Sequence, residues 1–169
     1  MQIPAVFCFG AALLLGRFAA VAQPSGSVMV RTEAGQVRGQ QQPGVVVFRS
    51  IPYAGPPVGA LRFAAPAPHQ PWPGVRDARR AGPTAPFSRP SAGPMNDYPV
   101  FGPGWVKGDD YLTTSIWTPA VAGPLRPVMV YLHGGAFVVG TSNVPLFDGT
   151  QFAKQGVVLI TLNYRMGIE

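Results

Sequence analysis

Cysteine, histidine and charge are all scarce in this sequence. Cys8 is the single cysteine, so an intrachain disulfide is excluded, and a chain cut before Gln23 would carry no thiol at all. His69 and His133 are the two histidines. Neither has the spacing to cysteine, histidine or acid that a zinc or other metal site needs, so no metal and no cofactor is implied. Charged residues make up 12% of the chain, low for a soluble surface, which points to burial or to extensive apolar loops. Basic residues outnumber acidic ones by 13 to 7. They are scattered, Arg79-Arg80 is their one adjacent pair, and no aromatic–basic platform accompanies them, so nucleic acid is not an expected partner. The basicity reads as a property of the solvated surface.

A hydrophobic run long enough to cross a bilayer is also lacking at the start of the chain, where Ala5 to Leu15 is too short. The run is followed by Ala20-Val21-Ala22 before Gln23, the small-x-small pattern of a signal-peptidase site. Residues 1–22 are therefore expected to be a signal peptide, with a secreted or periplasmic product and no stable membrane span after cleavage. The absence of Lys or Arg ahead of the run, and Arg17 near the cleavage site, leave an uncleaved anchor or a buried N-terminal segment as the alternative. Cleavage would remove Arg17, leaving one positive charge fewer than the +6 of the whole chain.

What is present is enough for one domain: 169 residues, 47% of them hydrophobic. Val28 to Thr32 and Gln36 to Gly39 flank Glu33-Ala34-Gly35 and predict a small β-hairpin. Val45 to Phe48 adds a further strand. Between Pro52 and Pro103 lie 13 of the 20 prolines, a density that excludes long regular helices and predicts an irregular wrapping segment. Trp72, Trp105 and several Phe residues are expected to pin it by burial. Strands are predicted at Tyr111 to Trp117, Val128 to Leu132 and Val157 to Leu162. A helix is predicted between the last two, from Leu146 to Gln155, with Asp148 as N-cap and Gly156 as C-cap. Strand, crossover, strand makes a βαβ unit.

The most informative stretch is VMVYLHGGAFVVG, Val128 to Gly140. Its first five residues read as a buried central strand of a parallel sheet. His133-Gly134-Gly135-Ala136-Phe137 follows where that strand would leave the sheet. Adjacent glycines let a ligand come close to bare N–H groups, and donors just past a strand's carboxyl end are what acyl transfer uses to hold an oxyanion. Taken alone, His-Gly-Gly is equally compatible with a plain tight turn. As an oxyanion loop it points to an α/β-hydrolase. The expected fold is α/β, the N-terminal part of such a fold, with small antiparallel N-terminal strands followed by a mostly parallel central sheet.

Five segments in order extend this reading: VRTEAGQVRG, FRSIPYAGPPVGALRFAAPAP with PW after it, GDDYLTTSIWTP, HGGAF and NYRMG. Together they resemble the N-terminal part of the type-B carboxylesterases, the family that includes the cholinesterases. The resemblance covers Val28 to Glu169, with Ser50 where the family usually has glycine. It implies that the backbone N–H groups of Gly135 and Ala136 are oxyanion donors, that Gly134 lets the loop turn and that His133 braces it. It also implies a buried ion pair between Arg62 and Asp109. Tyr111 and Ala85 occupy the region of a disulfide usual in the family, so that loop is expected to be held by packing alone or to be looser.

The resemblance further implies a nucleophilic serine in a G-x-S-x-G elbow, followed by an acid and a histidine, all after the NYR segment. No such elbow occurs in residues 1–169, and the nearest sequence, Gly140-Thr141-Ser142-Asn143-Val144, lacks the second glycine. Residues 23–169 are thus expected to be the N-terminal fragment of a serine-type carboxylic ester hydrolase, inactive alone, acting on a small-molecule ester only in a longer form. A non-catalytic binding relative and a truncated gene remnant are the alternatives. HGGAF favours the enzyme, because a pure binding module has no need of a donor-lined turn.

Overall fold

The computed structural model of the chain describes residues 26–88, 90 and 93–167. The signal-peptide reading of residues 1–22, with Cys8 and Arg17, lies outside the described residues. Strands β1 (Gly26–Thr32) and β2 (Gly35–Gln42) form the expected hairpin, closing at Thr32 opposite Gly35. Gly35 has φ 147°, and a Cβ there would stand 2.5 Å from the Trp72 indole nitrogen. That indole N–H donates to the Gln36 carbonyl at 2.9 Å. One glycine thus serves both the turn and the first anchor of the proline-rich segment.

Strand β3 (Val45–Pro52) continues the sheet, and its ladder to the later strand slips between Phe48 and Ile51. Ser50 sits in that bulge with φ 55°. Here the family's signature usually has glycine, and a left-handed backbone is the physical reason. The Ser50 hydroxyl oxygen accepts the Gly82 N–H, a local bond that a glycine would lack.

As the prolines predict, the regular pieces between Pro52 and Pro103 are minimal. They are a 3₁₀ turn at Gly59–Leu61, strand β4 (Val75–Asp77) parallel to β2, and one turn of helix, α1 (Tyr98–Phe101). Phe87 is buried and Trp72 half-buried, as expected of anchors. Trp105 is not one, because it is 48% exposed, with the Lys107 ammonium 5.5 Å from its ring centre. The Arg62–Asp109 pair is also corrected. Both residues are exposed, where an ion pair gains little against solvent. The carboxylate that meets an arginine is the next one along, Asp110, whose Oδ2 lies 2.7 Å from Nη2 of a different arginine, Arg76. Ala85 and Tyr111 both lie in one buried cluster with Ala54, Phe87, Leu112 and Met166. Apolar packing therefore holds this loop in the absence of a bridge.

Strands β5 (Thr113–Thr118), β6 (Val128–Leu132) and β7 (Val158–Leu162) complete a mixed sheet in the order β1-β2-β3-β5-β7-β6, with β4 beside β2. The only parallel pairing in the later part of the sheet, among the described residues, is β6 with β7, in register from Val128–Val158 to Leu132–Leu162. Strand β6 is not the buried central strand its sequence predicts. It closes the sheet's end, and all five of its residues are exposed. The inner position belongs to β7, laddered to β5 on one side and β6 on the other. Apolar character on both faces of β6 prepares it for two covering layers. Helix α2 (Thr150–Lys154) instead lies over β3, β5 and β7.

Helix α2 is shorter than Leu146 to Gln155, because a 3₁₀ turn occupies Pro145–Phe147. Gly149 is its N-cap, while Asp148 Oδ1 accepts the Thr150 N–H at 2.9 Å. Gln155 is its C-cap and Gly156, at φ 86°, ends the turn. The helix docks through Ala153 onto Val45, Val47, Trp117 and Leu159. Trp117, 1% exposed, is the largest side chain of that cluster, so Trp117→Ala is expected to cost about 3–5 kcal/mol. Trp105→Ala is expected to change stability by no more than about 0.5 kcal/mol. Urea unfolding midpoints measure both, and equal losses would contradict the assignment of anchors.

Candidate active site

The sheet delivers two consecutive chain ends to one place. β6 stops at Leu132, and its parallel neighbour β7 stops at Leu162 directly beside it. The residues that follow, His133 to Gly140 and Asn163 to Arg165, therefore meet just beyond the carboxyl ends of parallel strands, where ligands bind in open α/β sheets.

The loop after β6 turns in the left-handed region: Gly135 has φ 122°, Ala136 φ 54° and Phe137 φ 61°. The Gly135 carbonyl folds back to accept the Val138 and Val139 N–H groups at 3.0 and 3.1 Å. A Cβ on Gly135 would lie 1.8 Å from the Val139 carbonyl oxygen, whereas one on Gly134 would meet nothing within 4 Å. The turn thus depends on Gly135, and the expectation that Gly134 supplies it is corrected. Among the described residues, the backbone donates no hydrogen bond from Gly135 N–H or Ala136 N–H. Two amide donors are left unpaired at a turn that two non-glycine residues hold in an unfavourable conformation.

His133 braces the loop. It is buried, its Nδ1 lies 2.8 Å from the Gly134 carbonyl oxygen, and its ring stacks on Tyr164 with centroids 4.3 Å apart. The Tyr164 hydroxyl donates to the His133 carbonyl. Donation from Nδ1 to Gly134 leaves Nε2 as the unprotonated nitrogen, and Nε2 is buried without a partner among the described residues. Burial lowers the His133 pKa below its ordinary 6.5, partly opposed by the bond to Gly134.

Asn163 holds the other end of the loop. Its side-chain oxygen accepts from Ser142 N–H (2.8 Å), Thr141 Oγ1 (3.0 Å) and Ser142 Oγ (3.1 Å). Its amide nitrogen donates to the Pro83 carbonyl at 3.4 Å. Its own carbonyl accepts the Tyr53 hydroxyl at 2.7 Å. Composition and periodicity point to none of these contacts. The signal was a polar triplet, Asn163-Tyr164-Arg165, set directly after a wholly apolar strand.

A cavity of about 510 Å³ opens on this face, lined by His133, Gly134, Ala136, Tyr53, Tyr164 and Arg165 among others. Gly135 borders a second cavity of about 280 Å³, which His133 and Gly134 also line. The first is within the range of small-molecule sites and largely apolar, with a few polar groups in its lining. Among the described residues, no three His, Cys, Asp or Glu side chains gather where they could hold a metal ion. No helix among them is long and apolar enough to cross a membrane.

A mixed sheet with a βαβ unit and a glycine turn at the ends of parallel strands defines an α/β-hydrolase. The sequence matches the carboxylesterase family over residues 26–168, and the chain belongs to that family. It is 41% identical over 145 residues to a phenmedipham hydrolase of Pseudarthrobacter oxydans and 40% identical over 140 residues to a para-nitrobenzyl esterase of Bacillus subtilis (strain 168). Each match covers 82% of this chain and 28% of the relative, so the chain spans about a quarter of their length. A crystal structure of a Geobacillus stearothermophilus carboxylesterase superposes with a TM-score of 0.69 at 41% identity, covering 83% of this chain and 27% of that one.

The buried imidazole makes a prediction about pH. An unfolded His133 takes up a proton near 6.5, and the folded one does so only at lower pH. In that window the unfolded state binds more protons, so stability is complete above about 6.5 and is lost as the pH falls below it. An NMR titration of the His133 ring should give a midpoint below 6.5; a midpoint above it would contradict the buried, neutral brace.

Proposed function

We propose that this chain is the oxyanion-binding part of a serine-type carboxylic ester hydrolase, and that residues 1–169 alone do not turn over ester. The observation that carries the reading is the turn after β6, where the Gly135 and Ala136 N–H groups have no acceptor among the described residues. In ester hydrolysis a serine attacks the carbonyl carbon while a histidine takes its proton. The carbonyl oxygen becomes an anion, and unpaired donors fixed beforehand stabilise it without reorganising. Water then releases the acyl group. Gly135 and Ala136 would serve the oxyanion step, with His133 and Tyr164 bracing the loop rather than moving protons. The serine step has no counterpart here, since the 169 residues contain no G-x-S-x-G sequence. A small carboxylic ester is the proposed substrate class, in keeping with relatives named as esterases and carboxylesterases. The segment at residues 1–22 is proposed to direct export to the periplasm or beyond.

The test is a hybrid in which residues 26–167 replace the matching segment of the Bacillus subtilis para-nitrobenzyl esterase. The hybrid is expected to hydrolyse nitrophenyl esters and to take up an organophosphate label, while the 169-residue chain alone does neither. Gly135→Ala in the hybrid, which drives a Cβ into the Val139 carbonyl, is expected to lower kcat by about 10²–10³-fold. A hybrid that folds yet shows no turnover, or a Gly135→Ala hybrid with full kcat, would refute the proposal.

A further inference from the structure

A separate cavity of about 430 Å³ is lined by Arg49, Arg79, Arg80, Asn143 and Asp148, together with Ala81, Val144 and Pro145. Three guanidiniums thus share one space with one carboxylate. Arg79 is already matched, since its Nη2 and Nε lie 2.6 and 2.8 Å from the two Asp77 oxygens. Arg49 and Arg80 are not. Arg49 leaves β3 at the bulge, half-buried, with its guanidinium 5.1 Å from the Trp117 ring centre. Its nearest carboxylate oxygen, on Asp148, is 3.8 Å away, beyond hydrogen-bond length. Asp148 spends its other oxygen on the Thr150 N–H. Arg80 is exposed and makes no ion pair or side-chain hydrogen bond among the described residues.

A guanidinium taken partly out of water and given no hydrogen bond is costly unless something supplies acceptors. Burial pulls the Arg49 pKa down, with Asp148 only partly restoring it, which agrees with an under-compensated charge. We propose that this cavity is a binding site for a tetrahedral dianion, a phosphoryl or sulfuryl group, held between Arg49 and Arg80. The planar donor fork of arginine matches such groups through paired N–H···O bonds. Two forks carried by different segments, strand β3 and the chain after β4, suit a group with three or four oxygens better than a carboxylate with two. The Asn143 amide, which donates to the Gly82 carbonyl at 3.2 Å, stiffens the wall between them. The cavity exceeds the size of a bare ion, so the group can be free phosphate or the head of a larger molecule. The site uses neither Gly135 nor Ala136 and does not depend on ester hydrolysis.

Binding of inorganic phosphate to the 169-residue chain, titrated by calorimetry at constant ionic strength in chloride, tests this. Saturable one-to-one binding is expected. Arg80→Gln should weaken it at least about tenfold, the scale of one lost charge-assisted hydrogen bond. Arg49→Gln should do the same, and Arg31→Gln, an equal charge change on the exposed β1 strand, should weaken it less than about twofold. Arg80 is exposed and makes no ion pair among the described residues, so its variant keeps the test decisive if Arg49→Gln unfolds. Vesicles of phosphatidylcholine with phosphatidic acid separate the sources. Capture that phosphate competes away identifies a lipid phosphate head, and phosphate binding without capture identifies a free or small phosphorylated ligand. Failure of phosphate to bind, or equal weakening by Arg80→Gln and Arg31→Gln, would overturn the proposal.

Discussion

One buried carboxamide holds this structure's functional face together. Asn163 is 1% exposed and stands where β7 leaves the sheet. Its side chain and carbonyl tie together three stretches distant in sequence: the tail of the loop at Thr141 and Ser142, the proline-rich segment at Pro83, and Tyr53. None of these could be given up cheaply. Each net hydrogen bond contributes about 1 kcal/mol, but a buried donor or acceptor left without its partner costs about 1–3 kcal/mol. A residue bonded to this many separate partners fixes geometry in a way that apolar contact, tolerant of small slips, does not.

The next residue completes the clamp. Tyr164 stacks on His133 at the start of the loop while Asn163 grips its end. The loop is therefore stretched between two adjacent residues of a single strand terminus, and β7 is the inner strand, supported on both sides. That support explains how Ala136 and Phe137 stay in a left-handed conformation that an unrestrained chain would leave. It also explains how two amide donors stay unpaired without the turn collapsing to satisfy them. Rigidity and unpaired donors together are what the proposed oxyanion-binding role of this turn requires.

Much of this was legible in the residues. The hairpin, the strand runs, the irregular proline-rich segment and the loop after Val128 to Leu132 all follow from period, proline content and glycine pairs. The family likeness follows from five short segments in order. What sequence could not give was relative position. Apolar residues on both faces of Val128 to Leu132 say that the strand is made to be covered, not that β7 takes the inner place. Arg62 and Asp109 have the right chemistry for an ion pair, but burial decides whether one matters, and both are exposed. Trp105 is as large and apolar as Trp117, yet only the latter lies under a helix. Which of two glycines bears the turn depends on a carbonyl four residues on, Val139, and Asn163 acquires its role only through partners 20 or more residues away.

Amide hydrogen exchange across His133 to Gly140 tests the central claim most directly. The Val138 and Val139 amides, both bonded to the Gly135 carbonyl, are expected to exchange slowly. The Gly135 and Ala136 amides, lacking acceptors among the described residues, are expected to exchange near the unprotected rate while the loop remains otherwise ordered. Equal protection of all four would mean that the donors at 135 and 136 are already satisfied within the protein. The turn would then not be free to bind an oxyanion.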